Sequence, residues 1–303
     1  MAKAPRSLAG KVVAITGGGR GIGRATATAL IAQGARVAIG DIDRELAART
    51  AAELGSGTLG LPLDVTDSDS FEGFLTRVEA ELGPLDVLIN NAGIMPLGPF
   101  VSESDATSRR MVEVNLIGVL TGSRLALKRF LPRGRGHLVN IASMAGKSGY
   151  PGGATYCATK HAVVGLSETI RGEVRGTGVD VSIVMPTVVH TELGAGLHEP
   201  RGFPFVEPFD VAEAIVEALQ TGRVDVYVPR SLSRVVRASA LFGRTMSEWV
   251  NRLVGGDQVL AAPDRAARAA YERRTSEAAP SAPGTAGSTR SAPAAPAETQ
   301  PVA

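Results

Sequence analysis

The sequence predicts an α/β fold in which a doubly wound parallel sheet is flanked by helices on both faces. Short, continuous runs of apolar and β-branched residues recur along most of residues 8–230, as in strands that are buried on both faces. Longer segments with helical apolar spacing separate these runs, and this alternation is typical of a parallel sheet. A glycine-rich turn connects the first strand to the first helix. We therefore expect a single α/β domain.

Taken in order, the apolar runs predict seven strands, and the segments between them predict helices. A long helix is expected from about Ser104 to Phe130, another from about Ala154 to Arg175, and a further one in DVAEAIVEALQTG. The segment 187–207 is rich in Gly, Pro and His, which predicts a long loop or a broken helix. The seven strands are expected in KVVAIT, ARVAIGD, TLGLPLD, LDVLINNAG, GHLVNIAS, VDVSIVMP and DVYVP.

Composition and charge argue against several classes of protein. A formal net charge of +2 over 303 residues gives no strong attraction to nucleic acid. The single cysteine excludes an intramolecular disulfide, and the four histidines form no HExxH or HxxxH pair, so no metal site is expected. The sequence contains no signal-peptide pattern and no run of about 20 apolar residues, which predicts a cytoplasmic protein.

The glycine-rich turn TGGGRGIG predicts a site for the phosphates of a dinucleotide, with a tight structural turn as the alternative. Gly17, Gly21 and Gly23 let the backbone turn sharply and approach a pyrophosphate at the helix N-terminus. Asp41 ends the second strand, where an acid hydrogen-bonds the adenine ribose and repels the extra phosphate of NADP. Arg20 would pair with that phosphate, but no basic pair follows Asp41, so the sequence favours NAD over NADP. An N-cap of the next helix is the alternative role for Asp41.

A second group of reactive side chains lies in ATYCATKHAVVG. Tyr156 and Lys160 are four residues apart and share a helix face, whereas Cys157 is turned away by about 100°. A neighbouring ammonium stabilises a phenolate, so Lys160 is expected to lower the pKa of Tyr156 from its usual value near 10. Tyr156 is therefore a candidate general base for an alcohol or general acid for a ketone. Cys157 is expected to be a small buried side chain without a chemical role.

Five motifs stand in the order and spacing of the classical short-chain dehydrogenase/reductase family, which the chain resembles over roughly residues 8–230. They are TGGGRGIG, NNAG, Asn115 in VNLIG, Ser143 in NIASMAG, and YCATK. The resemblance implies a Rossmann-like fold and hydride transfer to or from a nicotinamide without a metal. It also implies that Tyr156 transfers the proton, Ser143 binds the substrate oxygen, Lys160 binds the nicotinamide ribose and Asn115 holds a water in a proton relay.

The resemblance extends to further cofactor contacts, with one departure. Thr187 stands where the family usually has glycine after the sixth strand, and its Cβ narrows the freedom of the loop beside the nicotinamide. His190, in the same loop, is expected to have no catalytic role. The other cofactor residues that the resemblance implies are Ile22 in the glycine-rich motif, Asp64 and Val65 at the adenine, Asn91 beneath the ribose, and Val189 and Thr191 at the carboxamide.

The expected function is that of an NAD-dependent oxidoreductase acting on the CH–OH group of a hydrophobic secondary alcohol, or on the corresponding ketone, steroid-like or lipid-like. An NADP-dependent carbonyl reductase and a non-catalytic dinucleotide-sensing regulator are the alternatives. The family implies a homodimer or homotetramer. The substrate class rests on the mostly apolar residues at the positions that line the cleft in the family, namely Met95, Leu97, Met144, Tyr150, Leu197, Phe203 and Phe205.

The chain beyond the last strand predicts a different organisation. Residues 8–230 are expected to form the dinucleotide-binding and catalytic domain, 231–274 a helical extension, and 275–303 a disordered tail rich in Ala, Pro and Ser. The amphipathic, arginine-bearing stretch 230–254 has three interpretations. It covers the cleft or packs on a neighbouring subunit, makes a peripheral contact with an anionic membrane, or is a solvated surface helix.

Overall fold

The computed structural model describes residues 4–199, 205–234, 258–261 and 263–277. The strands in these residues pair in parallel, in one sheet whose order reverses at the first strand. They are β1 (Val12–Thr16), β2 (Arg36–Asp41), β3 (Leu59–Pro62), β4 (Val87–Asn90), β5 (Gly136–Ile141), β6 (Val179–Pro186) and β7 (Asp225–Val228), in the spatial order β3-β2-β1-β4-β5-β6-β7. The predicted doubly wound sheet is confirmed.

Helices follow the strands, as the alternation predicted. A π-helical turn, Glu113–Ile117, interrupts the long helix that was expected to be continuous, and short 3-10 turns include Met144–Gly146 and Glu192–Gly194. The α-helices of the described residues are α1 (Gly21–Ala32), α2 (Arg44–Leu54), α3 (Ser68–Leu82), α4 (Asp105–Val112), α5 (Gly118–Phe130), α6 (Ala154–Glu173), α7 (Pro208–Thr221) and α8 (Arg265–Glu277).

The two faces of the sheet carry separate apolar cores. On one face, α1 and α7 pack side chains such as Leu30 and Ile215 against the strands. On the other face, α3 and α5 contribute Phe71 and Phe130, which are fully buried. Because both faces of the sheet are covered, its strands are continuous apolar runs. The edge at the carboxyl ends of the strands is the part of the sheet where a ligand can bind.

The C-terminal region is described only in part. Residues 258–261 and α8 pack on the domain, whereas 235–254, most of the arginine-bearing stretch, and 278–303, most of the predicted tail, lie outside the described residues. α8 reaches Glu277, three residues past the end predicted for the helical extension. Within the described residues, no helix is long and apolar enough to span a membrane.

Candidate active site

The glycine-rich turn lies at the carboxyl end of β1, beside β4, where the strand order reverses. Gly17 and Gly21 have φ angles of +62° and +53°, in the left-handed region that favours glycine. A Cβ on Gly23 would lie 2.4 Å from the carbonyl oxygen of Gly17. Arg20, the N-cap of α1, makes no side-chain capping hydrogen bond, so the first N–H groups of the helix have no such partner. This backbone cradle at a helix N-terminus fits the phosphates of a dinucleotide.

Asp41 is buried against this turn and links it to β2. Its Oδ2 accepts a hydrogen bond from the Gly19 N–H (3.1 Å), and its Oδ1 accepts one from the Asp43 N–H (3.2 Å). Burial raises the pKa of Asp41, and the two N–H donors oppose the shift. The N-cap of α2 is Asp43, which accepts from the Leu46 N–H at 2.9 Å. The alternative of Asp41 as that N-cap is therefore wrong.

Arg20 is engaged by carboxylates. Its guanidinium lies 3.6 Å from Asp43 and 3.0 Å from Glu192, measured from nitrogen to oxygen. The same Glu192 oxygen accepts a hydrogen bond from Arg274 of α8 at 2.5 Å. Arg20 therefore belongs to a series of ion pairs that connects the glycine-rich turn to the C-terminal helix.

The NNAG segment joins the candidate cofactor residues to the candidate catalytic residues. The Asn91 side-chain amide donates to the carbonyls of Thr16 (2.9 Å) and Gly17 (3.0 Å), which holds β4 against the end of β1. Two residues later, a Cβ on Gly93 would lie 3.4 Å from the Asn115 Oδ1 and 3.7 Å from the Lys160 Nζ. One loop therefore contacts both groups.

The remaining cofactor candidates surround the same edge of the sheet. Thr191 faces the turn, since its Cγ2 would lie 3.2 Å from a Cβ on Gly21. Asp64 uses its carboxylate locally, accepting from the Thr66 N–H (2.9 Å) and hydroxyl (2.7 Å). Three apolar candidates are packed into the protein: Ile22 against the core under α1, Val65 against Gly118, and Val189 in a β-bridge with Val206.

Tyr156 and Lys160 lie on one face of α6, as their spacing predicted. Tyr156 is 7% exposed and Lys160 is 5% exposed. The Lys160 Nζ lies 5.7 Å from the centre of the Tyr156 ring and donates to the carbonyl oxygen of Ile141 at 2.8 Å. The strand β5 therefore fixes the ammonium beside the phenol.

The pKa of Tyr156 is raised in this structure, not lowered as expected. Burial raises the pKa of Tyr156 above its usual range, and a hydrogen bond with the Ser143 side chain lowers it only in part. Burial also lowers the pKa of Lys160 to about 8. A lysine with a pKa of about 8 is still largely charged near neutral pH, so a cation lies beside the neutral phenol there. The net shift of the Tyr156 pKa is therefore upward, opposite to the expected one, because burial is its largest cause.

Asn115 and Ser143 complete the group. The π-helical turn between α4 and α5 carries Asn115, which is fully buried. Its Oδ1 accepts from the Ile94 N–H and its Nδ2 donates to the Ile94 carbonyl, both at 2.8 Å. Such turns often occur at functional sites because they redirect one side chain within a helix. Ser143 follows β5 and accepts from the Ala145 N–H at 3.1 Å.

An apolar cluster surrounds the phenol. Of the expected cleft residues, Met95 and Leu197 are buried with Tyr156 and Cys157, and Leu97, Tyr150 and Phe205 pack against them. Met144 packs instead against a neighbouring cluster around Val163, and Phe203 lies outside the described residues. Burial raises the pKa of the Cys157 thiol, which makes it a poor nucleophile.

The loop after β6 accommodates Thr187 without strain. Its N–H donates to the Val228 carbonyl at 2.9 Å, and Ser56 is the sole non-glycine residue with a positive φ in the described chain. His190 lines a cavity of about 540 Å³ with Glu199 and Phe205, and Tyr156 is not among the residues that line it. Within the described residues, no group of three or more His, Cys, Asp or Glu side chains is placed to hold a metal ion.

Sequence reasoning missed two residues of the C-terminal helix α8. Tyr271 contacts Met95, next to Tyr156 in the apolar cluster, and Arg268 is fully buried behind it. Their i, i+3 spacing on a helix was the available signal, but the stretch before it, 230–254, has the stronger amphipathic pattern.

Comparisons with known proteins agree with this geometry. A family model described as short chain dehydrogenase matches residues 11–202. The 2-(S)-hydroxypropyl-CoM dehydrogenase 3 of Xanthobacter autotrophicus is 38% identical over 227 residues, which are 69% of this chain and 89% of that protein. A short-chain dehydrogenase/reductase from Burkholderia phymatum, solved in complex with NAD, matches with a TM-score of 0.70 and 27% identity over 77% of this chain and 93% of its own. A 3-ketoacyl-(acyl-carrier-protein) reductase from Brucella melitensis, complexed with NADH, has a TM-score of 0.68 and 28% identity, with 73% of this chain and 98% of its own covered.

The family model covers more than half of the chain, including the glycine-rich turn and helix α6. The residues at the end of the sheet fit a nicotinamide dinucleotide, and the group around Tyr156 fits chemistry on alcohols or ketones. The chain belongs to the short-chain dehydrogenase/reductase family of oxidoreductases.

Proposed function

We propose that this protein interconverts a hydrophobic secondary alcohol and its ketone with NAD, and that Tyr156 is the general acid or base. The observation that carries the proposal is the convergence of Tyr156, Lys160, Ser143 and Asn115 beside a dinucleotide cradle and within an apolar cluster. A proton relay of this kind has no use in a protein that only senses a dinucleotide.

Each of these side chains has a role that follows from its contacts. Ser143 hydrogen-bonds Tyr156, so both hydroxyls can bind one substrate oxygen. In ketone reduction Tyr156 donates its proton to that oxygen, and the Lys160 ammonium, held by Ile141, stabilises the phenolate that is left. Asn115 is fixed to the loop after β4 through both of its polar atoms, which holds that loop beside Lys160. Bound NAD supplies the hydride acceptor, and NADH the donor.

The charges around the adenine-ribose end support NAD rather than NADP. Asp41 presents a carboxylate beside Gly19, where an additional phosphate would be repelled. Arg20, the residue that best supported NADP, is engaged by Asp43 and Glu192. The two solved relatives contain NAD and NADH respectively, according to their descriptions.

The apolar cluster supports a hydrophobic substrate. Met95, Leu197, Val259 and Leu260 are all buried around Tyr156. Two relatives are named 2-(S)-hydroxypropyl-CoM dehydrogenase 3 and 3-ketoacyl-(acyl-carrier-protein) reductase, and these names describe reactions of a secondary alcohol and of a ketone. We include a cytoplasmic location and assembly as a homodimer or homotetramer in the proposal. The exposed side chains of Val112, in α4, and Ile117, in the π-helical turn, support a subunit interface.

The test is turnover of a panel of hydrophobic alcohols and ketones with NAD(H) and NADP(H). We expect Tyr156→Phe to abolish turnover while NADH still binds, as measured by its fluorescence, because the substitution removes one hydroxyl from the site. Tyr227→Phe is the matched control, since Tyr227 lies on β7 and packs against another cluster. Substantial residual turnover by Tyr156→Phe would contradict the mechanism.

A further inference from the structure

The helix α8 is built into the wall of the catalytic cleft. Met95, which packs in the cluster around Tyr156, directs both of its backbone polar groups to this helix. Its N–H donates to the Tyr271 hydroxyl oxygen at 2.6 Å, and its carbonyl accepts from Arg268 at 2.7 Å. A buried N–H and C=O need partners, and α8 supplies both for this part of the loop after β4.

Arg268 connects this loop to the loop after β6. Besides Met95, its guanidinium donates to the carbonyl oxygens of Leu193 (2.9 Å) and Ala195 (3.0 Å). Its Nε lies 3.3 Å from Glu272, one turn further along α8. With its donors used in this way, the fully buried Arg268 sets the distance between the two loops and is not directed at a substrate anion.

Three glycines permit the C-terminal segment to approach this closely. A Cβ on Gly196 would lie 2.6 Å from the Asp264 carbonyl oxygen, and one on Gly152 would lie 2.4 Å from the Leu260 carbonyl oxygen. On Gly153, just before α6, a Cβ would lie 2.7 Å from the Leu260 side chain. The segment before α8 therefore packs against the start of the catalytic helix.

The Tyr271 hydroxyl retains a proton to donate. Its oxygen accepts from the Met95 N–H, and a phenol that accepts one hydrogen bond can still give one. Arg268 lies over the ring, 5.1 Å from its centre, and fixes its plane. Burial raises the pKa of Tyr271 to about 12, so the group is a neutral donor at working pH. Met95, which donates to this hydroxyl, packs in the same apolar cluster as Tyr156, so Tyr271 contacts a residue that borders the Tyr156 phenol.

We propose that Tyr271 is a substrate-binding residue, and that it selects ketones and alcohols that carry a second, neutral hydrogen-bond acceptor such as an ester or thioester carbonyl. Arg268 is the positioning residue that holds Tyr271 and the two loops. The inference rests on the proposed function, because it assigns the substrate class of the same site. The family model ends at residue 202, so the match does not include either residue.

The test compares substrates that differ only in the second acceptor. For a 2-alkanone and for the 3-oxo and 4-oxo esters of similar length, kcat and KM are measured with wild-type protein and with Tyr271→Phe. We expect Tyr271→Phe to raise KM about tenfold for at least one oxo ester, the loss of one hydrogen bond, with kcat nearly unchanged. For the alkanone, KM stays within about twofold, because it offers no second acceptor. Tyr227→Phe is the matched control and leaves all three substrates unaffected.

Arg268→Lys tests the positioning role. Lysine keeps the charge but lacks the planar group that reaches three carbonyl oxygens. We therefore expect the ratio of kcat/KM for the oxo ester to kcat/KM for the alkanone to fall toward the ratio of Tyr271→Phe. The affinity for NADH is retained. Equal changes of KM for esters and alkanone in Tyr271→Phe, or no change for either, would overturn the proposal.

Failure of the underlying function has a different signature. If wild-type protein turns over none of the ketones with either nucleotide, the proposed function fails. The Tyr271 assignment is then judged by calorimetric binding of the oxo esters and the alkanone to the NADH complex. Selective loss of ester binding in Tyr271→Phe supports it, and equal binding by both proteins overturns it.

Discussion

The ammonium of Lys160 is expected to act on Tyr156 mainly through its charge, and Lys160→Met isolates that charge. Methionine has nearly the same length and suits a buried site, since Lys160 is 5% exposed. The hydrogen bond to the Ile141 carbonyl is lost as well, and Lys160→Arg is the variant that keeps a donor and a cation at this position. The main change at Tyr156 is therefore the removal of a cation that lies 5.7 Å from its ring.

The size of the effect follows from Coulomb's law. At an effective dielectric constant of about 20, two unit charges separated by the 5.7 Å between Nζ and ring centre attract by about 3 kcal/mol. That energy corresponds to about two pKa units of phenolate stabilisation. Alcohol oxidation needs the phenolate as base, so we expect kcat for oxidation to fall about 100-fold in Lys160→Met at fixed pH.

The assay is the pH profile of kcat for alcohol oxidation at saturating NAD, with NADH affinity measured separately by fluorescence. In oxidation, activity rises with pH as Tyr156 ionises, and the loss of the Lys160 charge moves this rise to higher pH by about two units. Lys160→Arg retains a cation and is the control. A Lys160→Met enzyme with kcat within about fivefold of wild type and an unmoved profile would refute the electrostatic role.

Two further predictions follow from buried groups. Asp41→Asn keeps the shape of the side chain and an acceptor oxygen for the Gly19 N–H but removes the charge. We expect the ratio of kcat/KM with NADP to kcat/KM with NAD to rise about tenfold. An unchanged ratio would contradict the role of Asp41. His137 is buried beside Ser182, and burial lowers its pKa from 6.5 to about 4. Because the unfolded chain binds this proton first, stability should fall by about 3 kcal/mol as the pH drops from about 6.5 to 4. For His137→Asn, the free energy of unfolding measured in urea should depend less steeply on pH across that window than it does for wild type. Equal slopes for the two proteins would exclude His137 as the cause.

The parts of the site that the sequence predicted are those set by local geometry. A glycine-rich turn between a strand and a helix has few conformations, and the φ angles of Gly17 and Gly21 are those it requires. The i, i+4 spacing of Tyr156 and Lys160 places both on one face of any α-helix. Continuous apolar runs can be satisfied only by a sheet that is covered on both faces.

The parts that were missed or mistaken depend on contacts between distant segments. No local pattern shows that Asn115 lies in a π-helical turn, which is held by hydrogen bonds to Ile94. Nor does the sequence give the burial that reverses the expected shift of the Tyr156 pKa. The sequence around Arg268 is typical of a charged position on a surface helix. Only the structure shows the backbone carbonyl oxygens to which it donates hydrogen bonds. The placement of Tyr156 beside Lys160 was therefore predictable, and the pKa values and surroundings of the pair were not.

The burial that separates the pKa values of Tyr156 and Lys160 also bears on the direction of the reaction. Near neutral pH, a Lys160 pKa of about 8 leaves the amine charged, and the raised pKa of Tyr156 leaves the phenol protonated. This pair is a proton donor backed by a cation, which is the state that ketone reduction uses. Near neutral pH the pair is therefore prepared for ketone reduction, whereas alcohol oxidation first requires the phenol of Tyr156 to lose its proton.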